Sequence, residues 1–207
     1  EADVYLVNGT LLVSHNTPGP KAKTLEQLYL RPLDSLIQAN GGNVYSNFEG
    51  PFWLMIDCKT STGTYEAIRA AVRKYPALMS KGDKGPVKIF LSGNRPLELM
   101  VKDGYSGLGI DGRPDDVGKG YDFTLMPVIS DHYSNWSSWK GKSPATENDL
   151  QKIRVLAARV HQEGKKLRLW AIPDQEEAWK ALMEVGVDMI NTDHLNELNI
   201  YLLRIGK

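Results

Sequence analysis

The sequence predicts an α/β fold of parallel strands, and three observations carry that expectation. Apolar runs of strand length alternate with helix-length patterns from one end of the 207 residues to the other, the order that successive strand-helix units produce. Most of these runs are continuous rather than alternating, as expected of strands covered on both faces. No internal repeat, low-complexity tract or long linker divides the chain, so a single domain over residues 1–207 is expected.

Strands are expected at Asp3 to Leu6 with Leu11 to Ser14, Phe52 to Asp57, Val87 to Leu91, Gly109 to Asp111, Phe123 to Ile129, Leu167 to Ile172 and Met189 to Asn191. Helices are expected between them at Leu25 to Ala39, Tyr65 to Met79, Glu147 to Glu163, Gln175 to Val185 and Leu195 to Leu203. In Glu147 to Glu163, Leu150, Ile153, Leu156, Ala157 and Val160 recur at three- and four-residue steps and make one buried stripe. Thr146 is placed to cap its first amides and Gly164 to end it in the left-handed conformation. From Asn94 to Gly120, Pro96, Gly104, Gly107, Gly109, Gly112, Pro114, Gly118 and Gly120 break the pattern, and a loop or degenerate helix is expected. With the first two segments counted as one unit, the strands nearly fill an eight-stranded barrel, yet 207 residues fall short of the usual ~250. The expected architecture is a TIM-type (β/α) barrel lacking its first βα unit. The chain also opens at Glu1-Ala-Asp3 inside a strand pattern and without an initiator methionine, as an upstream element would leave it.

Composition narrows the function. Lys plus Arg and Asp plus Glu both number 25, a formal net charge of +0, so the attraction that drives nucleic-acid or anionic-membrane binding is missing. The single cysteine, Cys58, excludes an internal disulfide, a Cys-rich zinc site and an iron-sulfur cluster. No apolar run approaches the roughly 20 residues needed to span a bilayer, and a chain soluble as given is expected.

In a parallel barrel the reactive groups gather at the carboxyl ends of the strands. Glu1 and Asp3, two apart on an extended chain, point to one face, the barrel interior, and His15 follows in Leu-Leu-Val-Ser-His. Two inward carboxylates repel unless a cation or a basic side chain lies between them, and hard oxygen ligands suit Mg²⁺ or Ca²⁺ better than zinc. Asp57 ends the run Phe-Trp-Leu-Met-Ile, with Lys59 two residues on along the same side. The pair suits metal ligation beside a phosphate contact, or a structural ion pair.

These residues resemble the superfamily of glycerophosphodiester phosphodiesterases and phosphatidylinositol-specific phospholipase C. Its pattern of Glu-x-Asp on one strand, with a His about a dozen residues later, matches Glu1, Asp3 and His15. An apolar run ending in acid-x-Lys matches Asp57, Cys58 and Lys59, and a Trp strand matches Leu-Arg-Leu-Trp170-Ala-Ile-Pro-Asp174. The Gly-Val-Asp-x-Ile-x-Thr-Asp ending matches Gly186 to Asp193, so the ordered matches span nearly the whole chain. Ser92-Gly-Asn-Arg-Pro96 with Asp111-Gly-Arg113 looks like a less-studied phospholipase-C-like branch, whose members are often exported; the resemblance therefore leans towards a secreted or periplasmic location.

The resemblance implies a divalent cation, Mg²⁺ or Ca²⁺, held by Glu1, Asp3 and Asp57, with His15 moving a proton and Lys59 steadying the phosphoryl oxygens. The substrate would be a glycerophosphodiester or a phosphoinositide-like lipid, and the partner a small molecule or lipid headgroup. The family also uses a second histidine on the strand before the Glu-x-Asp, and an upstream segment would hold both that strand and that residue. A barrel that binds a sugar phosphate or lipid headgroup without catalysis is the alternative, and a metal hydrolase of other substrates a third.

Other residues carry weaker expectations. His132, after Ile129-Ser130-Asp131 at a strand's end, is a substrate-contact candidate, or a surface histidine. The following loop carries Tyr133, Trp136 and Trp139, rings suited either to a sugar or headgroup or to a small satellite core. By the resemblance Trp170 forms an apolar wall of the site, with core packing as the other reading. Arg113 is a phosphate-contact candidate, Asp193 is expected to cap the final helix, and neither His161 nor His194 is given a role.

Overall fold

An Asn-Gly pair sets the first turn of the chain. Asn8 (φ 48°) and Gly9 (φ 76°) both lie in the left-handed region, as a two-residue type I′ hairpin demands. Across it β1 (Ala2–Val7) and β2 (Thr10–Val13) pair antiparallel, Val7 opposite Thr10 and Val4 opposite Val13. The two opening segments read as one unit are this hairpin. The computed structural model describes residues 1–48, 50–79, 85–104 and 107–206, and the chain packs as two compact units, Glu1–Asp111 and Gly112–Lys207.

In the first unit β1 pairs in parallel with β3 (Phe52–Cys58), β3 with β4 (Val87–Gly93) and β4 with β5 (Leu108–Gly112). The order is β2-β1-β3-β4-β5, and Val4, Leu54, Ile56, Ile89, Leu91 and Ile110 are buried along it. A π-helical turn, Glu26–Leu30, runs into α1 (Arg31–Ala39), as expected of Leu25 to Ala39. The expected helix Tyr65 to Met79 stops early: α2 covers Thr64–Val72, and a 3-10 turn takes Pro76–Leu78. Pro76 has no N–H to continue the ladder and disfavours helical backbone at Tyr75. The tract from Asn94, expected to lack a clean helix, holds α3 (Leu97–Asp103), because its breakers Pro96 and Gly104 fall at the two caps rather than inside.

In the second unit β6 (Val128–His132), β7 (Lys166–Trp170) and β8 (Met189–Ile190) are parallel neighbours. The expected strand Phe123 to Ile129 begins five residues later than read and ends three later, at His132. Asp122 accounts for the delay: its side chain accepts from the N–H and hydroxyl of Thr124, and its carbonyl from the N–H of Leu125 and Met126, which closes a turn over the start of that run. Strand β7 ends at Trp170 rather than Ile172 because Ala171 turns into the left-handed region (φ 55°). Helix α4 (Glu147–Gln162) has the expected stripe, with Leu150, Ile153, Leu156, Ala157 and Val160 buried, and Thr146 and Asp149 form a reciprocal capping box. Helices α5 (Glu176–Glu184) and α6 (Leu195–Arg204) complete the unit. Asp193 does not cap α6. The N-cap residue is His194, with no side-chain bond, and the Asp193 N–H instead donates to Asp174 Oδ2 at 2.7 Å. Among the described residues no helix is long and apolar enough to cross a membrane.

Candidate functional site

Strand register assembles the site in the first unit. Asp3 is paired with Asp57, and Asp57 with Ser92. Leu91 is paired with Ile110, which brings Asp111 beside Ser92; the Ser92 hydroxyl donates to Asp111 Oδ2 at 2.7 Å. Paired residues of neighbouring parallel strands share a face, so four polar side chains stand at one level across β1, β3, β4 and β5. Glu1 lies one pleat before Asp3 on the same face. One carboxylate oxygen each from Glu1, Asp3 and Asp57 lies within 4.8 Å of the others. The Tyr29 hydroxyl donates to the Glu1 carbonyl at 2.9 Å and ties the first residue to the helical turn beneath it.

Two basic side chains complete the cluster. The Ser14 N–H donates to the Asp3 carbonyl at 3.0 Å, so the chain leaving β2 delivers His15 to Asp3, whose Oδ2 lies 2.8 Å from His15 Nδ1. The His15 side chain is otherwise open, 84% exposed. Lys59 donates its backbone N–H to the Val4 carbonyl at 2.8 Å, and its Nζ reaches both Asp57 Oδ2 and, at 3.1 Å, Asp3 Oδ1. The charges answer one another. Burial works to raise the Asp3 carboxyl, but the His15 hydrogen bond and the Lys59 ammonium beside it outweigh that and hold the group below the usual carboxylate range. Burial likewise opposes the Lys59 ammonium, yet Asp57 and Asp3 push it up to about 12.

Glu1, Asp3, His15, Asp57 and Lys59 are therefore brought together as the sequence implied. The ion pair weighed for Asp57 and Lys59 is also present. A hard cation fits the donor set: three carboxylates converge, and Asp3 Oδ1 is shielded from water and receives no hydrogen bond of good geometry although Lys59 stands 3.1 Å away.

Three supporting residues escaped the sequence reading. Gly93, at φ 69°, passes so close to β3 that a Cβ there would fall on Asp57 Oδ1 and lie 2.6 Å from the Cys58 carbonyl oxygen. Asn94 donates its side-chain amide to the Lys59 carbonyl at 3.1 Å. Arg95 donates to the Asp111 carbonyl at 2.8 Å. The only signal was the Ser92-Gly-Asn-Arg tract at a strand's end.

The remaining candidates belong to the second unit. His132 and Trp170 are paired in register as the last residues of β6 and β7, and their rings meet edge to face with centroids 4.3 Å apart. Arg113 is engaged locally: its guanidinium donates to the Gly112 carbonyl at 3.0 Å and its N–H to Asp116 Oδ2 at 2.9 Å. The aromatic loop forms a satellite core, with Tyr133 and Trp139 buried and the Tyr133 hydroxyl donating to the Trp139 carbonyl at 3.0 Å.

Residues 166–196 match the glycerophosphoryl diester phosphodiesterase family. The Arthroderma benhamiae protein named "Altered inheritance of mitochondria protein 6 homolog" is 24% identical over 97% of this chain and 73% of its own length. "Altered inheritance of mitochondria protein 6" of Eremothecium gossypii is 26% identical over 96% of this chain, which spans only 62% of that relative. Among solved structures, a candidate glycerophosphoryl diester phosphodiesterase from Agrobacterium tumefaciens superposes with a TM-score of 0.52 at 12% identity, covering 100% of this chain and 86% of that one. The likeness bears out the fold class expected from the sequence.

Proposed function

We propose, from the likeness of residues 166–196 to the glycerophosphoryl diester phosphodiesterase family and from the site geometry, that this chain is a metal-dependent phosphodiester hydrolase acting on glycerophosphodiesters or phosphoinositide-like lipids. The observation that carries the reading is the meeting of Glu1, Asp3 and Asp57 with His15 and Lys59 at one end of the strands. Glu1, Asp3 and Asp57 would hold the cation. Mg²⁺ or Ca²⁺, when bound, supplies charge neutralisation at the phosphate and lowers the pKa of an attacking hydroxyl or water. Asp3, kept ionised by its partners, can only accept, so the Nδ1 of His15 carries the proton of that 2.8 Å bond. The Nε2 of His15 is then the nitrogen that takes the nucleophile's proton and returns one to the leaving oxygen. Lys59 adds a held ammonium for the phosphoryl oxygens.

A second reading has support of its own. Lys59 already neutralises Asp3 and Asp57, an arrangement that a barrel binding a sugar phosphate or lipid headgroup without turnover also accommodates. Hydrolysis of bis(p-nitrophenyl) phosphate and of glycerophosphodiesters with Mg²⁺, Ca²⁺ or EDTA separates the two. We expect turnover that needs the cation and falls by about 10²–10⁴ in His15→Ala. A protein that binds the cation yet hydrolyses none of these esters would be the binding barrel.

A further inference from the structure

One side chain beside the carboxylates is delivered by a helix of unusual pitch. Thr24 bridges to Leu12 of β2, and the Val13 N–H donates to the Lys23 carbonyl at 2.9 Å, so the chain enters that helix pinned to the first hairpin. Thr24 and Gln27 form a reciprocal capping box: the Gln27 N–H donates to Thr24 Oγ1 at 3.1 Å, and the Thr24 N–H to Gln27 Oε1 at 3.0 Å. The turn that follows is π-helical, with the Arg31 N–H donating five residues back to the Glu26 carbonyl. Pro32 gives the widening a cause. It has no N–H for a helical bond, and its ring crowds the carbonyl four residues earlier, at Leu28. Such turns are rare and recur at functional sites.

The wide turn decides what the helix buries. Counted back by fours from Ile37 and Leu33, a regular helix would put Tyr29 and Leu25 in the buried line. Instead Leu25, Leu30, Leu33 and Ile37 are buried, the first two five positions apart, and Tyr29 is left half-buried at the margin of the stripe. From there its hydroxyl donates to the Glu1 carbonyl at 2.9 Å. Glu1 precedes the paired run of β1, whose register with β3 begins at Ala2 opposite Ile56. Strand pairing therefore fixes Asp3 and Asp57 but stops one residue short of Glu1. Burial, followed by the charges of Asp3 and Glu1, pushes the phenol above its usual range and keeps it a donor. A phenol has one proton to give, so its bond to the main chain takes nothing from the carboxylate oxygens.

We propose that Tyr29 is a positioning residue for the cation: it clamps the Glu1 main chain so that the Glu1 carboxylate stays beside those of Asp3 and Asp57, and the π-helical turn is what aims it there. Tyr29 acts through Glu1. A ligand whose backbone is already held gives up less freedom when its carboxylate binds an ion, and groups that orient ligands in this way set the affinity of the site. A hydroxyl that only stapled the helix to β1 would change stability and leave cation binding as it was. The inference rests on the cation site of the phosphodiesterase reading and is independent of turnover.

Calorimetric titration of the full chain with Mg²⁺ and with Ca²⁺ tests it without any substrate. Tyr29→Phe removes one oxygen and keeps the ring, and it should weaken cation binding about tenfold. Glu1→Gln should weaken binding as well. Adding Tyr29→Phe to Glu1→Gln should then change the affinity by less than about twofold, because the clamp has lost the ligand it serves. Leu28→Ala, at a 40% exposed position of the same turn, should bind the cation as the wild type does. Unaltered affinity in Tyr29→Phe, with or without a fall in melting temperature, would overturn the proposal. So would an undiminished effect of Tyr29→Phe in the Glu1→Gln background, or an equal loss in Leu28→Ala. Cation binding that depends on Tyr29, in a protein that hydrolyses none of the esters, would overturn the enzymatic reading and leave this one standing. Cation-dependent hydrolysis with an affinity indifferent to Tyr29 would do the reverse, and no binding of either cation would overturn both.

Discussion

Gly93 shows how narrow the tolerance around the carboxylates is. Its positive φ and its approach to Asp57 both exclude a side chain, so Gly93→Ala should push the Asp57 carboxylate out of line. By analogy with groups that orient metal ligands, we expect cation affinity to drop about 10–100-fold, read by Mg²⁺ or Ca²⁺ calorimetry, with the circular dichroism spectrum unchanged. Cys58, one residue further along β3, supports a separate test. It is buried, and burial followed by the nearby Asp57 charge pushes its thiol up to about 12. Iodoacetamide at pH 8 should leave it unlabelled in the native protein and alkylate it in guanidinium chloride. What could be read of the site from sequence follows from the same geometry. Glu1, Asp3, Asp57 and Lys59 were legible because period-two spacing and a strand's end fix their face. Gly93, Asn94 and Tyr29 were not, since their roles depend on which strand lies alongside and in what register.

At the scale of elements, the parts that could be read were those with local punctuation. Helix α4 has a cap, a stripe and a terminal glycine, and it lies where those signals put it. The misplaced boundaries are at Asp122, Pro76 and Ala171, where a single residue's hydrogen bonding or backbone angle overrode a run of apolar residues. The first hairpin was legible in principle from Asn8-Gly9. Two substitutions in α4 weigh packing against capping. Leu156 is 1% exposed, and Leu156→Ala should cost roughly 2–5 kcal/mol through lost burial and the cavity it leaves. Thr146→Ala removes one side of the capping box and should cost about 1 kcal/mol. Urea unfolding of both variants should rank them in that order; a cap variant as damaging as the core variant would show that the start of α4 governs the cooperative unfolding of its unit.

For the molecule as a whole, acid is the sharpest lever. The 25 acidic and 25 basic residues balance at neutral pH, so each carboxylate protonated leaves an excess of positive charge as well as breaking its own bonds. In the second unit four carboxyls are held below their ordinary range: Asp122 by Thr124, Asp149 by Thr146, Glu163 by Lys165, and Asp174 despite burial that works against it. Asp174 is held by Thr192, the Asp193 N–H and Trp179, and so ties the end of β8 to the start of α5. A carboxyl with a depressed folded pKa stabilises the native state at pH values above its unfolded pKa, about 4. That contribution is lost as the pH falls through the lower folded value. Melting temperature should therefore stay level from pH 7 to about 5 and fall steeply below about 4. Asp174→Asn keeps the shape of the side chain but cannot ionise, so it should melt lower than the wild type at pH 7, and the gap should close as the pH approaches 3. A gap that stays constant across that range would mean that Asp174 acts through its shape and hydrogen bonds alone, with its charge contributing nothing to holding β8 against α5.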